Sequence, residues 1–504
     1  SLNMTAQPNT GYEVAGWTVR NLMSGSSQTL HAATLSGQPV DASKLFIAGI
    51  VPEGMGDSWT GAGTGTGLPT YTVTTEVFPP GAGEIQLFPG TGPYPWGINV
   101  LVAAQPAAGF EFHHWEGSLT GDELTGVLEM TTNRSVRAIF ASNPPRTLYV
   151  PSQYPTLQAA LNAATYNDII HVEAGTHSGD GFHEIIIPRD HVVIEGAGPD
   201  TTIIDLADAA RLGWLHGTHV TFRNLQIYRG SGNFGGALRL SGNANVAFNN
   251  CTFRACQARD GGAVHVSDGG TLVSFTNCRF ESNHATSSGG AVNLANVPKD
   301  EDHVPILTNC TFVGNTAGSS GGGIAANQCR LIDCTFAQNS AFTGGGGAFA
   351  ANAILTDCVF TDNTAQNGAG VSAREYSTIT GCVFARNIAE RDGGGIKAAN
   401  GVSIQNCVLD ANQAGEDGGG IHANIVSEGK PLFIVGCVFT ENSAGKDGGG
   451  IWCDGTEVSQ VELIDNTAGQ RGGGIRASYS RIHSGFLLRN RAGTAGNAFY
   501  SQGG

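Results

Sequence analysis

Two columns of side chains in the C-terminal half recur once per repeat and carry the groups that could do chemistry. The first reads His265, Asn293, Ala325, Lys397, His422, Trp452 and Arg476, each between an aliphatic and a small residue just after a glycine cluster. Side chains alternate across a strand, so a residue between two inward ones faces outward. Lys397, His422, Trp452 and Arg476 would then offer cations and an aromatic face, the equipment for stacking on a sugar ring and holding its polar groups. The second column precedes the glycines: Arg259-Asp260, Arg391-Asp392, Glu416-Asp417, Lys446-Asp447 and Gln470-Arg471. Mixed signs one repeat apart read as a surface charge ladder. Asp392, Asp417 and Asp447 are the residues that could hold calcium, a cation served by carboxylate oxygens. Against these chemical readings, the nonapeptide G-G-x-G-x-D of calcium-binding solenoids is absent. No two carboxylates can be assigned the spacing that glycosidic hydrolysis needs. A solvated sheet face with a charge ladder is the plainer reading of both columns, and no catalytic residue is assigned.

The elements that would position these residues follow from a repeat that starts near residue 246. Its pattern is C-x-F-x-x-N, then a glycine cluster, then an aliphatic and a small residue. Cys310, Phe312, Asn315, Gly321-Gly322-Gly323, Ile324 and Ala326 form one instance; Cys382, Phe384, Asn387, Gly393-Gly394-Gly395, Ile396 and Ala398 form another. The cysteines fall at 251, 278, 310, 334, 358, 382, 407 and 437, and Val461 takes the next place. Steps of 24 residues link Cys310, Cys334, Cys358 and Cys382, while longer steps carry insertions such as Pro298-Lys299-Asp300-Glu301-Asp302. The acidic run Asp300-Glu301-Asp302-His303 reads as a solvated loop. Cys and Phe two apart share a strand face, as do Ile and Ala after the glycines. A third short strand precedes each Cys, as in Leu331-Ile332-Asp333. Such strands bury nothing alone; stacked in register they share one core and pair every backbone group with a neighbour. At about 4.8 Å per coil, about thirteen coils make a stack of roughly 60 Å. The expectation is an all-β chain dominated by a three-sheet parallel solenoid.

Three columns inside this repeat read as structural. Asn283, Asn315, Asn339, Asn363, Asn387, Asn412, Asn442, Asn466 and Asn490 recur at one position. Asn tolerates left-handed backbone, can bond its own turn, and stacked copies can form an amide ladder. The glycines permit positive φ where coils turn tightly. Eight of the eleven cysteines occupy one inward position and act as small buried hydrophobes. Parallel Cβ vectors do not suit a disulfide, and without CxxC pairs or histidines in the column a metal site is not expected there.

Composition narrows the function classes. The chain has 504 residues, 40% hydrophobic but only 13% charged, so it is not disordered. Its 74 glycines show no three-residue period, which excludes collagen. A net charge of −16 without a basic stripe excludes an ordinary nucleic-acid binder. No apolar run reaches membrane-helix length. The stretch Gly61 to Gly67 lacks a following Lys-Ser/Thr and is no phosphate loop. No signal peptide is present, and the start Ser1-Leu2-Asn3-Met4 suggests a processed or truncated species.

The N-terminal region contains a duplication. Residues 7–17, from Gln7-Pro8 through Gly11-Tyr12 to Trp17, align without a gap with residues 105–115, from Gln105-Pro106 through Gly109-Phe110 to Trp115. In sequence, strand-like runs ending at Phe78 and Phe140 close the two copies, with a long insertion in the first. The segment resembles the internalin B-type bacterial repeat, which implies spacer or stalk modules on a bacterial surface protein. Pro144-Pro145 marks a boundary. Beyond it Thr156 can cap a short helix whose apolar side is Leu157, Ala160, Leu161 and Ala164. This opening resembles that of pectate-lyase-like β-helices, where a helix covers the first coil; an open solenoid end exposes apolar interior and unpaired backbone. The expected domains are residues 1–80, an incomplete or insertion-bearing β-repeat module; 81–143, a second module; and 147–504, a right-handed parallel β-helix.

The paired motifs F-x-x-N and G-G-[AGS]-[ILV], seen as Phe280 to Asn283 with Gly289-Gly290-Ala291-Val292, resemble the repeat of chlamydial polymorphic outer membrane proteins. That resemblance implies a non-catalytic extracellular or cell-surface protein of bacterial type, a rigid rod for adhesion or for self-assembly into filaments or surface layers. The alternative is a carbohydrate-active β-helix enzyme, a polysaccharide lyase or hydrolase, or a glycan-binding module. Expected partners are a polysaccharide or cell-surface ligand and further copies of the chain. The chain starts inside one repeat and ends just after a coil motif, so a head-to-tail contact is anticipated. No cofactor is expected other than calcium.

Overall fold

A step of 24 residues brings the chain back to the same place one strand spacing further on. One coil shows how: Arg330–Ile332, Thr335–Ala337, Ser340–Gly344 and Ala348–Ala351 are its strands. Each pairs in parallel with its counterpart in the next coil, with Leu331 beside Leu355, Phe336 beside Phe360, Ala341 beside Ala365 and Ala350 beside Ala373. The chain is described by a computed structural model covering residues 69–504 apart from 143, 166, 189–191, 243, 268–270, 295–303, 425–430 and 503–504. Of the first 68 residues it describes the backbone of five strands. The acidic loop 300–303 and the glycine run 61–67 lie outside the described residues. The chain divides into two units, Ser1–Pro144 and Pro145–Gly504.

The second unit is a parallel solenoid of three sheets with 25, 12 and 11 strands. A coil carries four short strands where three were expected. The Leu strand and the Cys–Phe strand both join the 25-stranded sheet, separated by a left-handed corner such as Asp333 at φ +53°. The inward Phe residues form a vertical file: ring centroids stand 4.6 Å apart for Phe280–Phe312 and Phe312–Phe336, and 4.7 Å for Phe336–Phe360. Offset-parallel rings at this spacing add to the burial of each side chain. All eleven cysteines are free and buried, and the column thiols donate to inward carbonyls, Cys334 Sγ to Leu307 O at 3.4 Å. Burial pushes the thiols of Cys256, Cys329 and Cys453 up to about 12, so they stay protonated and inert at neutral pH.

The glycine cluster satisfies three constraints at once. Gly321 adopts φ +70°; a Cβ on Gly322 would meet the next coil's Gly346 O at 2.2 Å, and one on Gly323 would meet the Phe336 ring at 2.9 Å. The Asn column differs from expectation in one respect. The left-handed residue is the one before it, Gln338, Asp362 and Arg386 among others. The asparagines instead serve as amide ladder: Asn363 Nδ2 donates to Asn387 Oδ1 at 2.9 Å and to Phe336 O at 2.9 Å.

The solenoid starts under a helix, Leu157–Ala163, with Leu157, Ala160 and Leu161 buried against the first coil. Thr156 caps it, its hydroxyl accepting from Ala159 N at 3.2 Å. Below it Asp168, wholly buried, accepts from Arg146 N at 3.0 Å and Thr165 N at 2.7 Å.

In the first unit, Phe110–Gly117 pairs antiparallel with Arg134–Ser142 across a bulge between Phe112 and His114. Tyr12–Asn21 pairs with Lys44–Pro52 across a bulge between Val14 and Gly16, the aligned place in the other copy. The duplication therefore extends to a backbone irregularity. It also corrects the sequence reading: the closing strand of the first copy is Lys44–Pro52, not the run ending at Phe78. Val73–Phe78 pairs in parallel with Arg134–Ser142, so a boundary at 80/81 would split one sheet. The second module starts near residue 70 and buries Trp115, Met130, Val100 and Val136.

Candidate functional site

The outward column belongs to the twelve-stranded sheet. Ser372 lies beside Lys397, Lys397 beside His422, His422 beside Trp452, and Trp452 beside Arg476. The acidic column sits on the turn that leads into this sheet from the eleven-stranded one: Asp392 ends the strand Ile388–Asp392, and Ile396–Ala399 follows the glycines.

This face is less open than alternation alone suggests. His265, Asn293 and His422 are buried, at 4%, 3% and 6% exposure. Their side chains bend over the adjoining turn: Asn293 Nδ2 donates to Ser288 O at 3.1 Å, and Lys397 Nζ donates to Asp392 Oδ2 at 2.9 Å and Asn367 Oδ1 at 2.8 Å. The solvated face expected from the sequence is thus a row of side chains folded into the corner between two sheets. Burial draws His265 and His422 down to about 4, so both imidazoles are neutral at pH 7.

Trp452 has neither face free. The His422 ring lies flat on it, 4.3 Å between centroids and 1° between planes, and the Arg476 guanidinium lies 4.9 Å from its centroid. Arg476 is the next residue in the file and His422 the previous one, so each takes one face. Trp452 presents an edge, and the sugar-stacking platform anticipated there is already filled by the protein's own neighbours.

The acids also sort differently from expectation. Asp447 is drawn to arginine: Arg471 Nη2 donates to its Oδ2 at 2.7 Å and Arg471 N to its Oδ1 at 3.1 Å, with Arg476 Nε 3.8 Å away. Asp392 and Asp417 instead converge with His422, one ligand atom from each within 4.8 Å of the others. The calcium trio Asp392, Asp417 and Asp447 is therefore not what the coil geometry gathers. Burial, then the nearby Asp447 and Asp392 charges, raise the Asp417 carboxyl. Burial also works to raise Asp392, but His422, which carries its charge only in acid, together with Lys397 and Arg391 outweighs it and holds that carboxyl below its usual value. Sequence reasoning separated His422 from the acids because it assigned the two to different columns. The five-residue step from Asp417 to His422 across a three-glycine turn is the signal that joins them.

A charge ladder runs outside this cluster. Lys446 Nζ stands 2.9 Å from Glu416 Oε2, and Arg391 Nε 3.4 Å from Glu416 Oε1. Among the described residues no helix is long and apolar enough to cross a membrane.

Comparison with known proteins agrees with this architecture. The family model described as right-handed beta helix region matches residues 208–298 and 299–482, and the divergent InlB B-repeat domain matches residues 71–144. No curated protein matches. Among solved structures, the A-module of the mannuronan C-5 epimerase AlgE6 of Azotobacter vinelandii is 15% identical, covering 65% of this chain and 94% of that one at a TM-score of 0.36. The catalytic domain of a GH87 alpha-1,3-glucanase is 13% identical, covering 86% and 89% at a TM-score of 0.38. PfbA, a surface adhesin of Streptococcus pneumoniae, is 12% identical, covering 71% and 91% at a TM-score of 0.33. With more than half of its length matched by one model, the chain belongs to the right-handed β-helix region family.

Proposed function

We propose that the chain is a non-catalytic surface or extracellular rod, the β-helix forming a rigid body and the InlB-type module a spacer. One observation carries this reading: the cations beside the twelve-stranded sheet are spent on neighbouring acids. Lys397 holds Asp392, Arg471 holds Asp447 and Lys446 holds Glu416. A catalytic cleft keeps an acid and a base free to reach substrate; here Lys397 closes the turn of its own coil, and the other two pairs tie one coil to the next. The F-x-x-N and G-G-[AGS]-[ILV] pairing supports grouping the solenoid with the chlamydial polymorphic outer membrane protein repeat, and the InlB-type module supports a surface location. In this reading the rod meets a polysaccharide or further copies of itself.

A second reading, glycan binding without turnover, draws on the polar edge of the continuous file Lys397, His422, Trp452 and Arg476, not on a free ring face. One experiment weighs all of these. The purified chain is incubated with acidic and neutral polysaccharides, with and without calcium, while unsaturated ends, reducing ends and binding are followed. Binding or inertness without new ends is expected. Steady production of either kind of end overturns the non-catalytic reading in favour of a lyase or hydrolase. Sedimentation at rising concentration tests self-association, and a strict monomer removes that part.

A further inference from the structure

Two imidazoles of the outward column, His265 and His422, are buried with an Nδ1 that has no hydrogen-bond partner among the described residues. His422 is the one that also meets two acids. A buried polar atom without a partner is costly, and a ligand that pairs it would remove that cost. The ring cannot turn freely, because it lies flat against Trp452. Stacking fixes the plane and leaves the ring edge, which carries the nitrogens, to face its surroundings. Those surroundings are acidic: one oxygen each of Asp392 and Asp417 and a ring nitrogen of His422 lie within 4.8 Å of one another. Lys397 takes one Asp392 oxygen, and the Asp447 amide takes one Asp417 oxygen at 3.0 Å. Each carboxylate therefore keeps a second oxygen. Lys397 supplies one positive charge against two negative ones, whereas Asp447 is already matched by Arg471.

The geometry points to a divalent transition-metal site of the zinc type, with Asp392, Asp417 and His422 as its protein ligands. Such an ion takes its ligands at about 2.0–2.2 Å, so the three atoms, within 4.8 Å of one another, must draw together to bind it. Calcium is the poorer fit, since it asks for six to eight oxygens, while imidazole nitrogen with carboxylates suits zinc and its neighbours in the first transition row. Three protein ligands leave a fourth position for water, and Asp417, the least buried of the three, lies on its open side. The ion would join two successive coils, Asp392 in one and Asp417 with His422 in the next.

The test is isothermal titration of the full chain, kept reduced, with zinc chloride and in parallel with calcium chloride. One zinc per chain is expected, with no saturable heat from calcium. D417N, close to isosteric, should weaken zinc at least tenfold while keeping the far-ultraviolet circular dichroism of the parent. H422Q should do the same and should also change the visible spectrum of the cobalt(II)-loaded chain. Both variants retain every cysteine, so zinc held by thiols would survive them. Failure to bind zinc stoichiometrically overturns the proposal, as does D417N titrating like the parent. Calcium binding that H422Q leaves intact overturns it too. If H422Q does not fold, D417N alone decides.

Discussion

The Asn column and the outward column of the twelve-stranded sheet each contribute one residue per coil, yet they are built on opposite terms. From Asn283 to Asn490 the amide side chain repeats coil after coil, each Nδ2 donating to the next Oδ1 at 2.9–3.0 Å. Cys256 occupies the same position at the head of the ladder, its amide N donating to Asn283 Oδ1 at 3.0 Å. The outward column changes at every step, from His265 to Asn293, Ala325, Phe349, Ser372, Lys397, His422, Trp452 and Arg476. A buried amide has no water to fall back on, so an amide in the next coil and a carbonyl of the coil before it must satisfy it. An outward side chain can bend over a neighbouring turn, pair with an acid or stack on a ring. Uniformity marks the column where a single solution exists; variety marks the one where several do.

The sharpest way to break this contrast is to remove one rung. Asn363 Oδ1 accepts from Asn339 N and Asn339 Nδ2, both at 3.0 Å, and its Nδ2 donates to Phe336 O and Asn387 Oδ1. N363A strands at least the Asn339 amide and the Phe336 carbonyl. At about 1–3 kcal/mol for each buried group left without a partner, the loss should be about 3–4 kcal/mol. Because each coil touches only its neighbours, the damage should stay local. Hydrogen exchange should rise in coils between Phe312 and Asn412 and remain unchanged near Phe222 and Phe248. Uniform loosening of the whole solenoid would show that the rungs do not act separately.

A smaller effect, separable by pH, is expected at the capped start. Asp168 is also a buried hub, but an ionised one. Burial works to raise its carboxyl, and the bonds from Arg146 and Thr165 outweigh that and hold it below its usual value. A folded value below the unfolded one, about 3.9, means that the contribution is present above that unfolded value. It fades as pH falls through the lower folded value. Amide protection in the first coil, around Leu148 and Ile170, should therefore fall below about pH 4, while the central coils, held by neutral amides, keep theirs. D168N should abolish that acid dependence and loosen the first coil at neutral pH. Equal acid sensitivity in both regions would remove the distinction between an ionised hub and a neutral ladder.

What could be read from the sequence follows the same division. The Phe, Cys and Asn columns were legible because a 24-residue period leaves each side chain only one neighbour above and one below, and like packs on like. The capped helix was legible because Thr156 and the spacing of Leu157, Ala160 and Leu161 are local signals. Left-handed backbone at Gln338 or Arg386 was not, since the residue adopting it varies while the Asn beside it does not. Nor was the cover over Trp452, which depends on His422 and Arg476 arriving from coils before and after it. The alignment of Tyr12–Trp17 with Phe110–Trp115 located the duplication. It could not show that Val73–Phe78 crosses to the strand of the second copy, because the sequence of an edge strand does not name its partner.

The smallest effect should come from breaking an ion pair that repeats the coil spacing but lies in water. Arg386 makes two bonds to Asp362, both at 2.9 Å, one position before the Asn column and one coil apart. The geometry is as regular as that of the ladder, and a count of contacts would rank the two alike. But both side chains are substantially exposed, at 58% and 41%, so water takes over each charge when its partner is removed, and salt screens what remains. R386A should leave the melting midpoint unchanged within measurement, and the parent should show no loss of midpoint between low and high sodium chloride that R386A escapes. A drop comparable to that of N363A would mean that the regularity of the outer pair carries the coil spacing itself. The distinction between a column fixed by burial and one merely repeated by it would then have to be abandoned.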